Sequence, residues 1–331
     1  MKIVKSEKIT LRDIAKETGI GLGTVSRALS GTGYVSEDKK REIDECAIRL
    51  GYNQRPQKQE KTVKKQRIVG VVIPDISFPF YGSFLRYVEF ELDRRSCHTM
   101  VFNTLGVQNK VGHIIELLEG KVLDGLIFNG DIAEREVESL KKYPVVSFER
   151  MLGKDIPMIA SDHVEGGRLV AKLLSDKRCM NVLIITAKHK TAVYADKRNE
   201  ECENMLKQNG AKVIRAEYDG EMASYRYIDD MIKQYLNIYH DIDAIFTEDV
   251  AAFYCVMYAK NNGWHIPEDV KIVGYDGNEM IRMITPQITT VSQNVSLLAR
   301  KAAEIIVQKM NHEKVDSVNL VPVNLVEGGT T

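Results

Sequence analysis

The stretch Ile9–Ser36, ITLRDIAKETGIGLGTVSRALSGTGYVS, confines its part of the chain to short helices separated by tight turns. Thr10 with Asp13 three residues on predicts a capped helix start, and Leu11, Ile14 and Ala15 share one face behind it. Gly19 stands where a left-handed backbone ends a helix cheaply. A second helix, from about Leu22 to Leu29, turns Val25 and Leu29 inward and leaves Thr24, Ser26 and Arg27 outside. Ser36, Glu37 and Asp38 open a third, carried inward by Ile43, Ala47 and Leu50. Two helices joined by a tight turn, with small hydrogen-bonding side chains and one arginine on the outer face, suit a DNA groove. Thr and Ser donate to phosphates or base edges, and Arg forks onto guanine O6 and N7. The plainer alternative, ordinary helices of a larger helical domain, stays open on geometry alone.

Charge distribution bears on that choice. The 331 residues have no net charge, yet residues 1–67 hold 16 Lys or Arg against 9 Asp or Glu, a net of +7, which leaves −7 on the other 264. Positive charge concentrated on the helical head is what phosphate neutralisation requires. Gln54–Arg67, QRPQKQEKTVKKQR, holds six basic residues and one acidic residue and reads as a basic linker. The expected domains are therefore a head at 1–53, a linker or hinge at 54–67 and a body at 68–331. No apolar run reaches membrane-helix length and the N-terminus lacks an apolar export segment, so a cytoplasmic protein without membrane contact is expected. Cys46, Cys97, Cys179, Cys202 and Cys255 are scattered with no C-x-x-C pair, and neither a metal site nor a cofactor is expected.

From Ile68 the texture becomes apolar runs alternating with helix-length segments. One series is Ile68–Ile73, His98–Phe102, Asp124–Phe128 and Pro144–Phe148; a second is Asn181–Thr186, Lys212–Glu217, Asp243–Thr247 and Val270–Tyr275. Such alternation predicts parallel sheets, and two runs of four fit two doubly wound lobes better than one barrel. The fold class is thus a small all-α head plus an α/β body. Lobe 1 is placed at about 68–162 and 292–318, and lobe 2 at about 176–290 and 319–331. A helix from about Ser296 to Met310 and the strand-like VNLVPVNLV cross back to complete the lobes. Open parallel sheets bind ligands beyond the carboxyl ends of their strands. There lie Asp75, Phe80, Tyr81, Asn103, Thr104, Asn129, Glu149 and Arg150 of the first series, and Glu248, Asp249 and Asp276 of the second. Carboxylates, amides and aromatics together suit the hydroxyls and apolar face of a sugar. No G-x-G-x-x-G follows the first strand, and there is no P-loop, nucleophile elbow or histidine cluster, so binding is favoured over catalysis. A soluble sugar-binding protein without operator recognition is the alternative, and the basic head argues against it.

The spacing A-x-x-x-G-I-x-x-x-T-V-S-R-A-L-S-G resembles the DNA-binding head of the lactose repressor (LacI/GalR) family. Val69–Tyr81, Ser161–Gly167, the Arg198 region, Ile266–Gly277 and Pro286–Gln293 resemble that family's body, which is similar to periplasmic binding proteins. The resemblance implies a homodimeric transcription repressor of carbohydrate-utilisation genes, with double-stranded operator DNA and a small sugar effector as partners. It puts Thr24, Ser26 and Arg27 at DNA contacts, with Leu22 and Gly23 at the variable base-reading positions. Thr10, Ser30, Tyr34, Arg55, Lys58 and Lys61 complete the expected DNA set. Phe80, Tyr81, Asp162, Arg198, Glu248, Asp276 and Gln293 fall at effector-contact positions. Three departures stand out. Glu201 and Cys202 replace a Gly and an aromatic after the arginine. Ser77-Phe78-Pro79 replaces Asn-Pro, adding an aromatic near the cleft mouth. The linker has Lys58 and Lys61 where Ala and a minor-groove leucine are usual, so contacts to phosphate are expected there instead of an apolar wedge.

Overall fold

A computed structural model describes residues 9–30, 33–50, 52, 66–104, 110–189 and 191–331. The chain divides into two compact units, Met1–Lys65 and Gln66–Thr331.

In the first unit, α1 (Leu11–Thr18) begins at Thr10, whose amide and hydroxyl both donate to the Asp13 carboxylate at 2.8 and 2.7 Å. Gly19, at φ 64°, ends it in the left-handed conformation. α2 (Leu22–Ser30) and α3 (Glu37–Arg49) pack on it around Ile14, Val25, Ala28, Ile43, Cys46 and Ala47. Ala28 is buried more deeply than the expected Leu29, which with Leu50 packs at the margin. Three short helices with such a small core depend on this one cluster, since none is long enough to be stable alone.

The second unit holds two six-stranded sheets. Lobe 1 is built from β1 (Arg67–Ile73), α4 (Pro79–Asp93), β2 (Cys97–Asn103), α5 (Lys110–Glu119), β3 (Gly125–Phe128), α6 (Glu134–Leu140), β4 (Val145–Phe148) and β5 (Met158–Ser161). The chain then enters lobe 2 through α7 (His163–Asp176), β6 (Asn181–Lys188), α8 (Asp196–Gln208), β7 (Lys212–Asp219), α9 (Tyr225–Ile238), β8 (Ala244–Phe246), α10 (Asp249–Asn261), β9 (Lys271–Asp276) and β10 (Thr289–Gln293). It returns as α11 (Val295–Met310) and β11 (Val318–Val321) on lobe 1, and ends with β12 (Val323–Val326) on lobe 2. The strand orders are β11-β5-β4-β3-β1-β2, all parallel, and β12-β10-β9-β8-β6-β7, parallel except for β12 against β10.

Each sheet is covered on both faces. Residues of α4 and α11 bury one face of the first sheet and those of α5 and α6 the other; α9 with α10, and α7 with α8, do the same for the second. Full burial explains the near-continuous apolar strands such as Val69–Ile73. Two strands, β5 and β10, extend each series beyond the expected four. The return crossing falls at Pro322, not at 318/319: β11 is still in the first sheet, and proline has no amide hydrogen to give to either. The crossings β5 to α7, β10 to α11 and β11 to β12 join the lobes side by side.

Candidate binding sites

On the head, α2 turns Leu22, Gly23, Arg27 and Ser30 to solvent, with Thr24 and Ser26 half-buried beside them. Leu22 is 42% exposed, and Gly23 opens onto free space. Arg27 Nη2 donates to the Thr24 hydroxyl at 3.4 Å, a long bond that leaves most of the guanidinium fork available. Tyr34, just beyond, is 93% exposed. The hydroxyl of Thr10 is engaged in capping. Arg55, Lys58 and Lys61 lie outside the described residues.

In the body, the carboxyl ends of the strands bring charged groups together where the lobes join. Arg198, on the first turn of α8, lays its guanidinium 4.2 Å above the Tyr275 ring. Its Nη2 donates to Glu248 Oε1 at 2.7 Å, and its Nη1 stands 3.9 Å from Asp276 Oδ1. Burial opposes the charge on Arg198, yet Glu248 and Asp276 more than offset this and raise its pKa above the ordinary value. Asp276 Oδ1 also accepts from Gln293 Nε2 at 2.8 Å, and Gln293 Oε1 accepts from the Ser161 hydroxyl at 2.6 Å. One chain of contacts therefore runs from lobe 2 through the β10 crossing to the end of β5 in lobe 1.

Asp276 sits at φ 111°, a backbone conformation that a side chain tolerates only when its surroundings impose it. Asp249 does so from beneath: its carboxylate accepts from the Asn278 amide at 2.6 Å and the Thr290 hydroxyl at 2.7 Å, fixing the turn after β9. Burial pushes the Asp276 carboxyl up to about 7, against the pull of Arg198 and with the help of Glu248. It pushes the Tyr81 hydroxyl up to about 12, with Arg150, Asp276, Glu149 and Arg198 as the charges acting on it. Tyr81 thus faces the same cluster from lobe 1.

A second set of contacts ties the lobes alongside. Glu149 Oε1 accepts from the Ser161 amide at 3.0 Å, and its Oε2 lies 2.6 Å from His163 Nε2. His163 Nδ1 lies 3.0 Å from the Tyr275 hydroxyl. Arg150 pairs with Asp131 at 3.0 Å, meets Asn129 at 3.3 Å and donates to the Thr191 hydroxyl from lobe 2. At the edge, Tyr225 donates to the Ser77 carbonyl at 2.6 Å, and Phe78 rests on its ring with centroids 5.4 Å apart.

The structure thus gathers Tyr81, Arg198, Glu248, Asp276 and Gln293, and leaves two expected residues out. Phe80 turns into the lobe 1 core, its ring parallel to Phe148 at 6.1 Å, because the start of α4 points that position at the sheet. The Asp162 carboxylate caps α7, accepting from the Glu165 amide at 3.0 Å. Reasoning from strand ends found Asn129, Glu149, Arg150 and Asp249 but missed Ser161, His163, Thr191 and Tyr275. Of these, only the Tyr-Asp pair closing β9 carried a local signal. Two of the three departures are accounted for, and the third, in the linker, lies outside the described residues. Phe78 packs across the lobe edge, Glu201 pairs with Arg168 at 2.9 Å, and Cys202 is fully buried among Val170, Leu174 and Leu206. Cys202 therefore fills core where a larger ring is usual. Arg198 keeps its place because α7 approaches closely through Gly167, where a Cβ would lie 2.4 Å from the Arg198 carbonyl.

Comparison with known proteins follows this division. Residues 10–54 match the model of bacterial regulatory proteins of the lacI family, and residues 171–331 match a periplasmic binding protein-like domain. The sucrose operon repressor of Streptococcus mutans is 28% identical over 324 residues, spanning 96% of this chain and 98% of the relative. A periplasmic binding protein/LacI transcriptional regulator of Alkaliphilus metalliredigens, solved with D-xylulofuranose, superposes at TM-score 0.71 with 25% identity over 80% of this chain and 99% of that one. The Lac repressor dimer bound to operator shares the fold at TM-score 0.71 and 21% identity, over 98% and 99% of the two chains. A helix-turn-helix head followed by two doubly wound lobes, matched in this order along nearly the whole chain, makes this protein a member of the LacI family of bacterial regulatory proteins.

Proposed function

We propose that this chain is a cytoplasmic, homodimeric transcription repressor of carbohydrate-utilisation genes, switched by a sugar bound where its two lobes meet. The observation that carries the reading is the cluster of Arg198, Glu248 and Asp276, tied through Gln293 to Ser161 of the other lobe. A guanidinium and carboxylates at the carboxyl ends of β8 and β9 can share the hydroxyls of a polyol between donors and acceptors. Tyr81 supplies a further hydroxyl from lobe 1. Because the same side chains hold the lobes in register, a ligand that replaces those contacts changes the lobe arrangement.

On the head, Arg27, Thr24 and Ser26 take phosphate and base-edge contacts, Leu22 meets a thymine methyl, and Gly23 lets the backbone come close. Ser30 and Tyr34 flank them, and Arg55, Lys58 and Lys61 add phosphate contacts from the linker. One such head covers too little DNA for specific binding, so two must act on related half-sites. The sucrose operon repressor relative and the operator-bound Lac repressor dimer support this assignment.

The test is selection of bound DNA from a random pool by the full-length protein, with and without a panel of mono- and disaccharides. A two-fold-related sequence whose recovery changes with one sugar is expected. Binding that is salt-sensitive but without sequence preference would overturn the reading.

A further inference from the structure

Resting on the reading of the lobe junction as the effector site, a narrower question is which class of sugar its charges accept. Both arginines there are already matched by carboxylates. Arg198 has Glu248 and Asp276, while Arg150 has Asp131, with Asn129 and Thr191 on its other donors. Both guanidinium side chains are more than nine-tenths buried. An incoming phosphate or carboxylate would have to displace an acid already paired with a buried base, which costs the base its partner.

Two acceptors stand open. Asp276 Oδ2 has no hydrogen-bond partner among the described residues, its Oδ1 being the atom used by Gln293 and faced by Arg198. Glu248 Oε2 has only long contacts, 3.4 Å from the Thr247 hydroxyl and 3.5 Å from that of Tyr218. Both carboxylates keep some exposure, 14% and 22% of the side chain. With Asp131 and Glu149 they make four acidic groups against two guanidiniums and the imidazole of His163. Burial first, with Glu248 and Glu149 adding to it, raises the Asp276 carboxyl even beside an arginine. A cation arriving here is attracted by these carboxylates, and an anion is repelled by them.

We propose that the ligand of this junction is a carbohydrate bearing a protonated amine, accepted by the open oxygens of Asp276 and Glu248, and that sugar phosphates and uronates are rejected. The ring hydroxyls then fall to the remaining donors of Arg198, Gln293 and Tyr81. Glu248 is a specificity residue, because neither the arginine nor a short hydrogen bond uses its second oxygen.

The test is calorimetric titration of the full-length protein with glucosamine, galactosamine, mannosamine and the deacetylated chitin disaccharide. Their N-acetyl forms, the parent neutral sugars and glucosamine 6-phosphate are run alongside. One free amine is expected to bind at least tenfold more tightly than its N-acetyl and neutral counterparts, with no binding of the phosphate. Glu248→Gln should reduce that preference to less than threefold. Preference for a neutral sugar, or binding of the phosphate, would overturn the inference and leave the junction as a sugar site. Absence of binding by every sugar in the panel would overturn the reading of the junction itself, and this inference with it.

Discussion

His163 and Tyr275 meet through a 3.0 Å contact between Nδ1 and the phenol hydroxyl, beneath the ring that carries Arg198. The other nitrogen of the imidazole lies 2.6 Å from Glu149 of lobe 1. A proton on Nε2 facing that carboxylate leaves Nδ1 to accept from the tyrosine, so the imidazole is a fixed spacer between the lobe 1 strand end and the arginine's platform.

Removing the spacer strands a buried acid. His163→Ala is expected to destabilise the body by about 3 kcal/mol, since Glu149 Oε2 loses its partner without gaining water. His163→Gln, which can still donate to Glu149, should lose less than half of that. Urea denaturation of the two variants, followed by tyrosine fluorescence, measures the difference.

Gly167 permits the contact between α7 and α8 that seats Arg198. A Cβ there would meet the Arg198 carbonyl at 2.4 Å and Glu201 Cβ at 3.0 Å, and neither backbone nor Cβ can swing away. Gly167→Ala is expected to shift α8 and lower sugar affinity at least tenfold in a calorimetric titration. Gly112→Ala, on α5 with nothing within 4 Å of its added carbon, should leave sugar affinity unchanged and raise stability by about 0.5 kcal/mol.

Asp276 links stability to pH. Its folded pKa is raised from 3.8 to about 7, so between these values the folded chain binds more protons than the unfolded one. The stabilisation from this group is present below the unfolded value and is lost as pH rises from about 4 to about 7, with no further change above. Asp276→Asn keeps an acceptor for Gln293 and removes the titration. Thermal unfolding from pH 4.5 to 8 should show the loss across this window reduced in the variant, with the variant the more stable protein at pH 8.

These elements differ in how far the sequence displays them. Val69–Ile73 and Val182–Ile185 are buried on both sides and so read as strands from composition alone. β10 does not, because Thr289, Thr290 and Gln293 are buried polar residues whose partners, Thr330, Asp249 and Asp276, lie far along the chain. Phe80 and Asp162 illustrate the opposite error. A residue after a strand is brought near the site by topology, but the start of a helix decides which way it points, and here it points to core and cap. His163 and Tyr275 are 112 residues apart, so no local pattern joins them. Gly19 and Thr10, whose roles are settled within one helical turn, were legible without any of this.

On the proposed reading of the head, Arg27 is assigned to a base edge and the linker lysines to phosphate. Arg27→Ala should weaken binding to the selected DNA by about 1–3 kcal/mol and relax preference at one position of each half-site. Lys58→Ala and Lys61→Ala should weaken all sequences alike and reduce the slope of log affinity against log salt by about one unit each. Anisotropy titrations on the selected DNA and on a scrambled duplex, across a salt series, separate the two behaviours.

The most direct test of the account measures DNA affinity of the full-length protein by anisotropy on the selected duplex, with and without the bound sugar, for wild type and Arg198→Lys. Lysine keeps the charge beside Glu248 and Asp276 but loses the fork. Sugar is expected to change the wild-type dissociation constant at least tenfold, while Arg198→Lys binds DNA normally without sugar and changes less than twofold with it. An unaltered response in Arg198→Lys, or no change in wild-type DNA affinity with a sugar that calorimetry shows to be bound, would contradict it.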